Sequence, residues 1–157
     1  MSLLNMLSKQ LSDPKVLEQL SKSTGANPDQ VKKLAREGLP ELMKALQQNA
    51  ATPEGAKSLD RALEEHQDDK VENVLGFLQN VDTNDGAKML QHIFSGRNDA
   101  VQAQLAQKAG LDKNQASTLM TQLAPLVIGA LGNQKKQQGS SSITNLAGGV
   151  LGSFFKR

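Results

Sequence analysis

Leu105 to Gln134, LAQKAGLDKNQASTLMTQLAPLVIGALGNQ, decides the fold. Gly110 predicts a helix end, because glycine takes the left-handed conformation of a helix C-terminus at no steric cost. Asp112 then caps a new helix, and Gln115 stands where a capping box returns its hydrogen bond. Leu119 and Leu123 continue the apolar stripe. Pro125 has no N–H to give, which predicts a break. Beyond it, LVIGAL is too apolar to face water and must be core.

A diverged copy lies 85 positions earlier, at Leu20–Asn49, LSKSTGANPDQVKKLAREGLPELMKALQQN. Without gaps, Leu20, Gly25, Gln30, Leu34, Pro40, Ala45 and Leu46 match Leu105, Gly110, Gln115, Leu119, Pro125, Ala130 and Leu131. The matches fall on the glycine stop, the box, the proline and the core leucines, where structure constrains a sequence most. Asn27 takes the place of Asp112 as cap. The expectation is an all-α, multihelical domain of two related units, at about 14–66 and 100–155. Leu34, Leu42, Leu46, Leu119, Leu123, Val127, Ile128 and Leu131 are predicted core. The copies differ in one respect. Glu41 and Lys44 stand where the second copy has Leu126 and Gly129. The first copy keeps a wet face, while the second needs a cover, and the C-terminal tail of the same or a neighbouring chain is the expected one.

Outward from these units the pattern stays helical. Leu3, Leu4, Leu7 and Leu11 share a face, and Asp13-Pro14 starts a second helix through Val16, Leu17 and Leu20. Thr52-Pro53 repeats that device before Ala56, Leu59 and Leu63. The acidic run Glu64 to Asp69 closes that helix and is expected exposed, since its charges oppose a negative helix end. Val71, Val74, Leu75 and Leu78 make another stripe. Met89, Leu90, Ile93 and Phe94 form a short helix ending at Gly96, with Asp85 as its cap. No stretch alternates β-branched residues, so no sheet is expected.

The 157 residues suffice for one domain, or two small halves sharing a core. All four aromatic residues are Phe, which disfavours carbohydrate and base-stacking sites. Cysteine is absent, removing disulfides, thiolate metal sites and cysteine nucleophiles together. No signal peptide is legible at the N-terminus, and Leu123–Leu131 is about half a membrane span. A soluble, cytoplasmic protein is the expectation. The net charge of +2 hides an asymmetry: +2 over residues 1–50, −5 over 51–100 and +5 over 101–157. Complementarity between middle and end, within or between chains, is the plainer reading, and nucleic-acid binding the sharper one.

Catalytic constellations are hard to find. His66 and His92 have no metal-spaced partners. His66 amid carboxylates offers a divalent-cation site if loops converge, against the simpler reading of a solvated helix end; His92 reads as the margin of a helix stripe. Asp82–Gly86 superficially suggests a calcium loop. Its glycine comes one place early, however, and Ile93 stands where a bidentate Glu is required. No nucleophile elbow or phosphate-cradling loop is present. The chain is expected to be no enzyme, with no cofactor, no metal and no evident small-molecule substrate.

The most suggestive segment is the C-terminus. Residues 133–142 read as a polar, flexible linker. Residues 143–157 read as an apolar helix with Ile143, Leu146, Ala147, Val150, Leu151, Phe154 and Phe155 on one face. Allowing two inserted residues, Ile143, Leu146 and Val150 correspond to Ala56, Leu59 and Leu63. Small residues four apart permit close helix approach. The candidate interaction residues are therefore Leu146, Gly148, Gly149, Val150, Leu151, Gly152, Phe154 and Phe155. Three uses are open: docking on the chain's own core, pairing in a homo-oligomer, or lying on a membrane surface with Lys156-Arg157 at the head groups. The favoured function is a non-enzymatic interaction or scaffold protein that self-associates through this helix. The alternatives are a nucleic-acid-associated helical protein and a peripheral membrane-surface protein.

Three stretches carry a resemblance: Gly86–Gly96, GAKMLQHIFSG; Ala109–Asp112, AGLD; and Leu123–Gly132, LAPLVIGALG. In their order and spacing the chain resembles the bacterial domain-of-unknown-function 937 family, a loosely YidB-like group. The resemblance covers most of the chain and is strongest over 55–132. It implies an all-helical bacterial protein with no catalytic residues to carry over. The family's acidic-histidine-aspartate-glycine turn appears here as His66-Gln67-Asp68-Asp69, without its glycine, and the glycine-leucine tail is shorter.

Overall fold

A capping side chain followed by proline starts three of the helices. After α1 (Leu3–Gln10), Asp13 accepts from the Lys15 N–H ahead of α2 (Pro14–Thr24). Asn27 accepts from Gln30 ahead of α3 (Pro28–Ala50), and Thr52 from Gly55 ahead of α4 (Pro53–Glu65). Then follow α5 (Val74–Gln79), α6 (Thr83–Phe94), α7 (Asn98–Ala109) and α8 (Lys113–Gln137). The computed structural model describes residues 3–71, 73–94 and 96–137, and these contain no strand. The all-α expectation holds.

The two predicted start signals match in detail. At α3, the Gln30 N–H donates to Asn27 Oδ1 at 2.8 Å, and Gln30 Oε1 accepts from the Asn27 N–H at 3.1 Å. At α8, the Gln115 N–H donates to Asp112 Oδ1 at 2.7 Å, and Gln115 Oε1 accepts from the Asp112 N–H at 3.2 Å. The preceding glycines, Gly25 and Gly110, both take positive φ, +79° and +73°. The two boxes also meet in space, where Gln30 Nε2 donates to the Gly110 carbonyl at 2.8 Å.

The prolines do not break the helices. α3 runs unbroken through Pro40 and α8 through Pro125. Proline costs a helix interior about 3 kcal/mol. Burial offsets it, since each fully buried leucine contributes about 1.5–3 kcal/mol. Leu119, Leu123, Leu126 and Leu131 are all buried along α8. Pro125 also leaves the Thr121 carbonyl, four residues back, without its helical donor. Gly86 of α6 lies on that carbonyl so closely that a Cβ would overlap it.

α8 is the central element. Helices α2 to α7 all pack against it, and every residue from Leu119 to Gly132 is buried. All eight predicted core residues lie in one buried cluster. Two boundaries differ from expectation. α8 continues to Gln137, so the first five residues of the predicted linker are helical. The α6 cap is Asp82, not Asp85: Asp82 Oδ1 accepts from the Asn84 and Asp85 N–H groups at 3.0 and 3.2 Å. Moving the cap three residues back leaves the Asp85 side chain free to turn toward His66.

Candidate functional site

The turn after α4 is fastened to α8 and carries a cluster of polar side chains around His66. Asn133, expected in the linker, donates from Nδ2 to the carbonyls of Gln67 (3.1 Å), Asp69 (2.9 Å) and Gly129 (2.9 Å). Val71 and Asp69 close over Gly129, where a Cβ would stand 2.8 Å from Val71 Cγ1. The Leu63 carbonyl and Gln67 close over Gly132 in the same way. The face predicted to need the tail as a cover is therefore covered by residues 63–71. The backbone comes this near because glycine leaves room for it.

Held on this turn, His66 lies between two carboxylates. Asp69 Oδ2 stands 2.7 Å from Nδ1, within hydrogen-bond distance, and Asp85 Oδ2 of α6 stands 3.7 Å from Nε2. The acidic run is therefore not wholly exposed, as His66 and Asp69 are half-buried. These residues line one end of an open cleft of about 520 Å³, with Phe77 on the α5 side and Pro125 at the floor. Asn73 and Asn80 also line it, and both spend polar atoms on α5: Asn73 Oδ1 accepts from Gly76, and Asn80 Nδ2 donates to its carbonyl. One turn and the first turn of α6, rather than converging loops, bring the two carboxylates to His66. Among the described residues, however, no three His, Cys, Asp or Glu side chains form a group that could hold a metal.

A second depression shares Asp85 with the first and differs in character. This groove of about 190 Å³ lies between α4 and α6, with Leu59, Ala62, Met89, Ile93 and Ile128 among its apolar lining. Ser58, Lys88 and His92 stand on it too. His92 thus sits at the margin of a helix stripe, as expected.

The model of the family described as "Bacterial protein of unknown function (DUF937)" matches residues 5–134. The chain belongs to this family. The match takes in all of α2 to α7, the cleft and the groove, and it ends within α8. No curated protein and no solved structure matches the chain significantly.

The predicted interaction residues, Leu146, Gly148, Gly149, Val150, Leu151, Gly152, Phe154 and Phe155, lie outside the described residues. Three features escaped sequence reasoning: the Asn133 anchor, the approach of Asp85 to His66, and the α4–α6 groove. Each joins positions far apart in the chain, and Asn133 in particular sits in a polar run that carries no helix signal. Among the described residues, no helix is long and apolar enough to cross a membrane.

Proposed function

We propose that the protein is a non-enzymatic interaction protein that associates with itself through residues 143–157. One observation carries this reading: α8 is closed by residues 63–71 and by α6, within the chain's own described residues. The C-terminal apolar face is then not required to complete the core. Its seven apolar side chains at helical spacing still gain from leaving water, at roughly 25 cal/mol for each Å² buried. Among the described residues, Met6 is the one large hydrophobic side chain that is exposed, so the apolar surface for association comes from the C-terminus. The commitment of Asn73, Asn80, Asp69 and Asp82 to local structure supports the non-enzymatic part, because these polar groups build the cleft.

Size-exclusion chromatography with light scattering, on the full chain and on residues 1–138, tests the proposal. The full chain is expected as a dimer or larger assembly at roughly tens of micromolar, and the truncation as a monomer, because affinities of this order need only about 6–8 kcal/mol. Two monomers would remove the proposal.

A further inference from the structure

We infer that the groove between α4 and α6 is the receiving surface for the C-terminal segment of a second copy, with one phenyl ring of Phe154-Phe155 in the slot. This rests on the self-association proposed above and names its other half. The groove is apolar and about 190 Å³ in volume. An apolar cavity of roughly 150 Å³ holds a benzene molecule, so the slot is sized for one aromatic side chain. The chain has four phenylalanines. Phe94 is buried in the core and Phe77 stands on the neighbouring cleft, which leaves the adjacent pair Phe154 and Phe155.

Charge supports the same occupant. Residues 133–157 contain Lys135, Lys136, Lys156 and Arg157 and no acidic residue. The helix on one wall of the groove, α4, carries four acidic residues, Glu54, Asp60, Glu64 and Glu65, against Lys57 and Arg61. Asp85 stands on the opposite wall, at the junction with the cleft, with Lys88 and His92 beside it, and residues 51–100 as a whole carry a net charge of −5. A ring seated among Leu59, Met89 and Ile128 therefore brings Lys156-Arg157 into an acidic neighbourhood. Opposite potentials of this kind orient an encounter more than they tighten it, while the buried ring supplies the anchor.

A second copy, rather than the chain's own tail, follows from the self-association proposed above. α8 passes the groove at Ile128 and runs nine residues further, roughly 14 Å at 1.5 Å per residue. Two tails exchanged into two grooves form a closed, two-fold arrangement.

The chain has no cysteine, so engineered cysteines report without background. Two full-length chains of different tag mass, one Ser58→Cys on the exposed groove wall and one Ser153→Cys beside Phe154, are mixed and mildly oxidised. The expected main product is the mixed disulfide, which requires Cα atoms within about 7 Å. It should fall at least tenfold when Phe154 and Phe155 of the second chain are changed to serine. Predominance of either like-with-like dimer would overturn the inference. So would closure within one chain carrying both cysteines. Light scattering on the same samples separates the two proposals. A dimer without the mixed disulfide removes the groove and keeps self-association, and a monomer removes both.

Discussion

α3 and α8 begin with the same box, carry proline at corresponding positions, continue through it and each pack against six other helices, yet α3 keeps a wet side while α8 is buried throughout residues 119–132. In α3 the outward positions Lys32, Lys33, Arg36, Pro40 and Lys44 are exposed, and Glu41 is half-buried. In α8 the positions corresponding to Glu41 and Lys44 are Leu126, fully buried, and Gly129, with Val71 against it. Glu41 and Lys44 against Leu126 and Gly129, together with Lys32, Lys33 and Arg36 against Ser117, Thr118 and Thr121, thus distinguish a helix with a wet side from one buried throughout residues 119–132. Local signals set where a helix starts, and side-chain chemistry on the second face sets what may pack there.

The most damaging way to break this difference is Leu126→Glu, which places at the centre the residue type found in α3. Burial of an unpaired carboxylate should cost about 4 kcal/mol or more and leave the chain unfolded or nearly so in a urea titration. The reverse change, Glu41→Leu, should move the midpoint by no more than about 0.5 kcal/mol, because that position stays near water. Gly86→Ala comes next. Its Cβ meets the Thr121 carbonyl, which is backbone and cannot turn aside, so a loss of about 2–3 kcal/mol is expected by calorimetry.

Asn133→Ala should cost about 1–3 kcal/mol, since three buried or half-buried carbonyls lose a donor. Hydrogen exchange should show the loss concentrated at residues 66–71, with α1 and α2 unchanged. The smallest expected effect sharpens the comparison between the boxes. Gln30→Ala removes the box and the bond to the Gly110 carbonyl, whereas among the described residues the Gln115 side chain makes no hydrogen bond beyond its box. Gln30→Ala should therefore be the more destabilising by about 1 kcal/mol, one net hydrogen bond.

Much of the fold was legible because its signals are local. Asn27 with Gln30, Asp112 with Gln115, and the positive-φ glycines Gly25 and Gly110 depend on residues within a few positions of one another. The core leucines followed from helical spacing. Pro40 and Pro125 misled for a physical reason: the cost of proline is local and visible, while the burial that offsets it comes from six other helices. The cover over Gly129 was assigned to the tail because sequence shows which face is apolar and not which segment reaches it. The His66–Asp85 approach and the α4–α6 groove were illegible on the same ground, since each joins separate helices across α8.

The most direct measurement is the stability of residues 1–138 against the full chain, by urea unfolding at a concentration where both are monomeric. With α8 closed by residues 63–71 and α6, the two midpoints should agree to within about 0.5 kcal/mol, the scatter of changes outside the core. A truncated chain less stable by 2 kcal/mol or more, on the scale of exposing a buried leucine, would mean that the C-terminal segment completes the core after all.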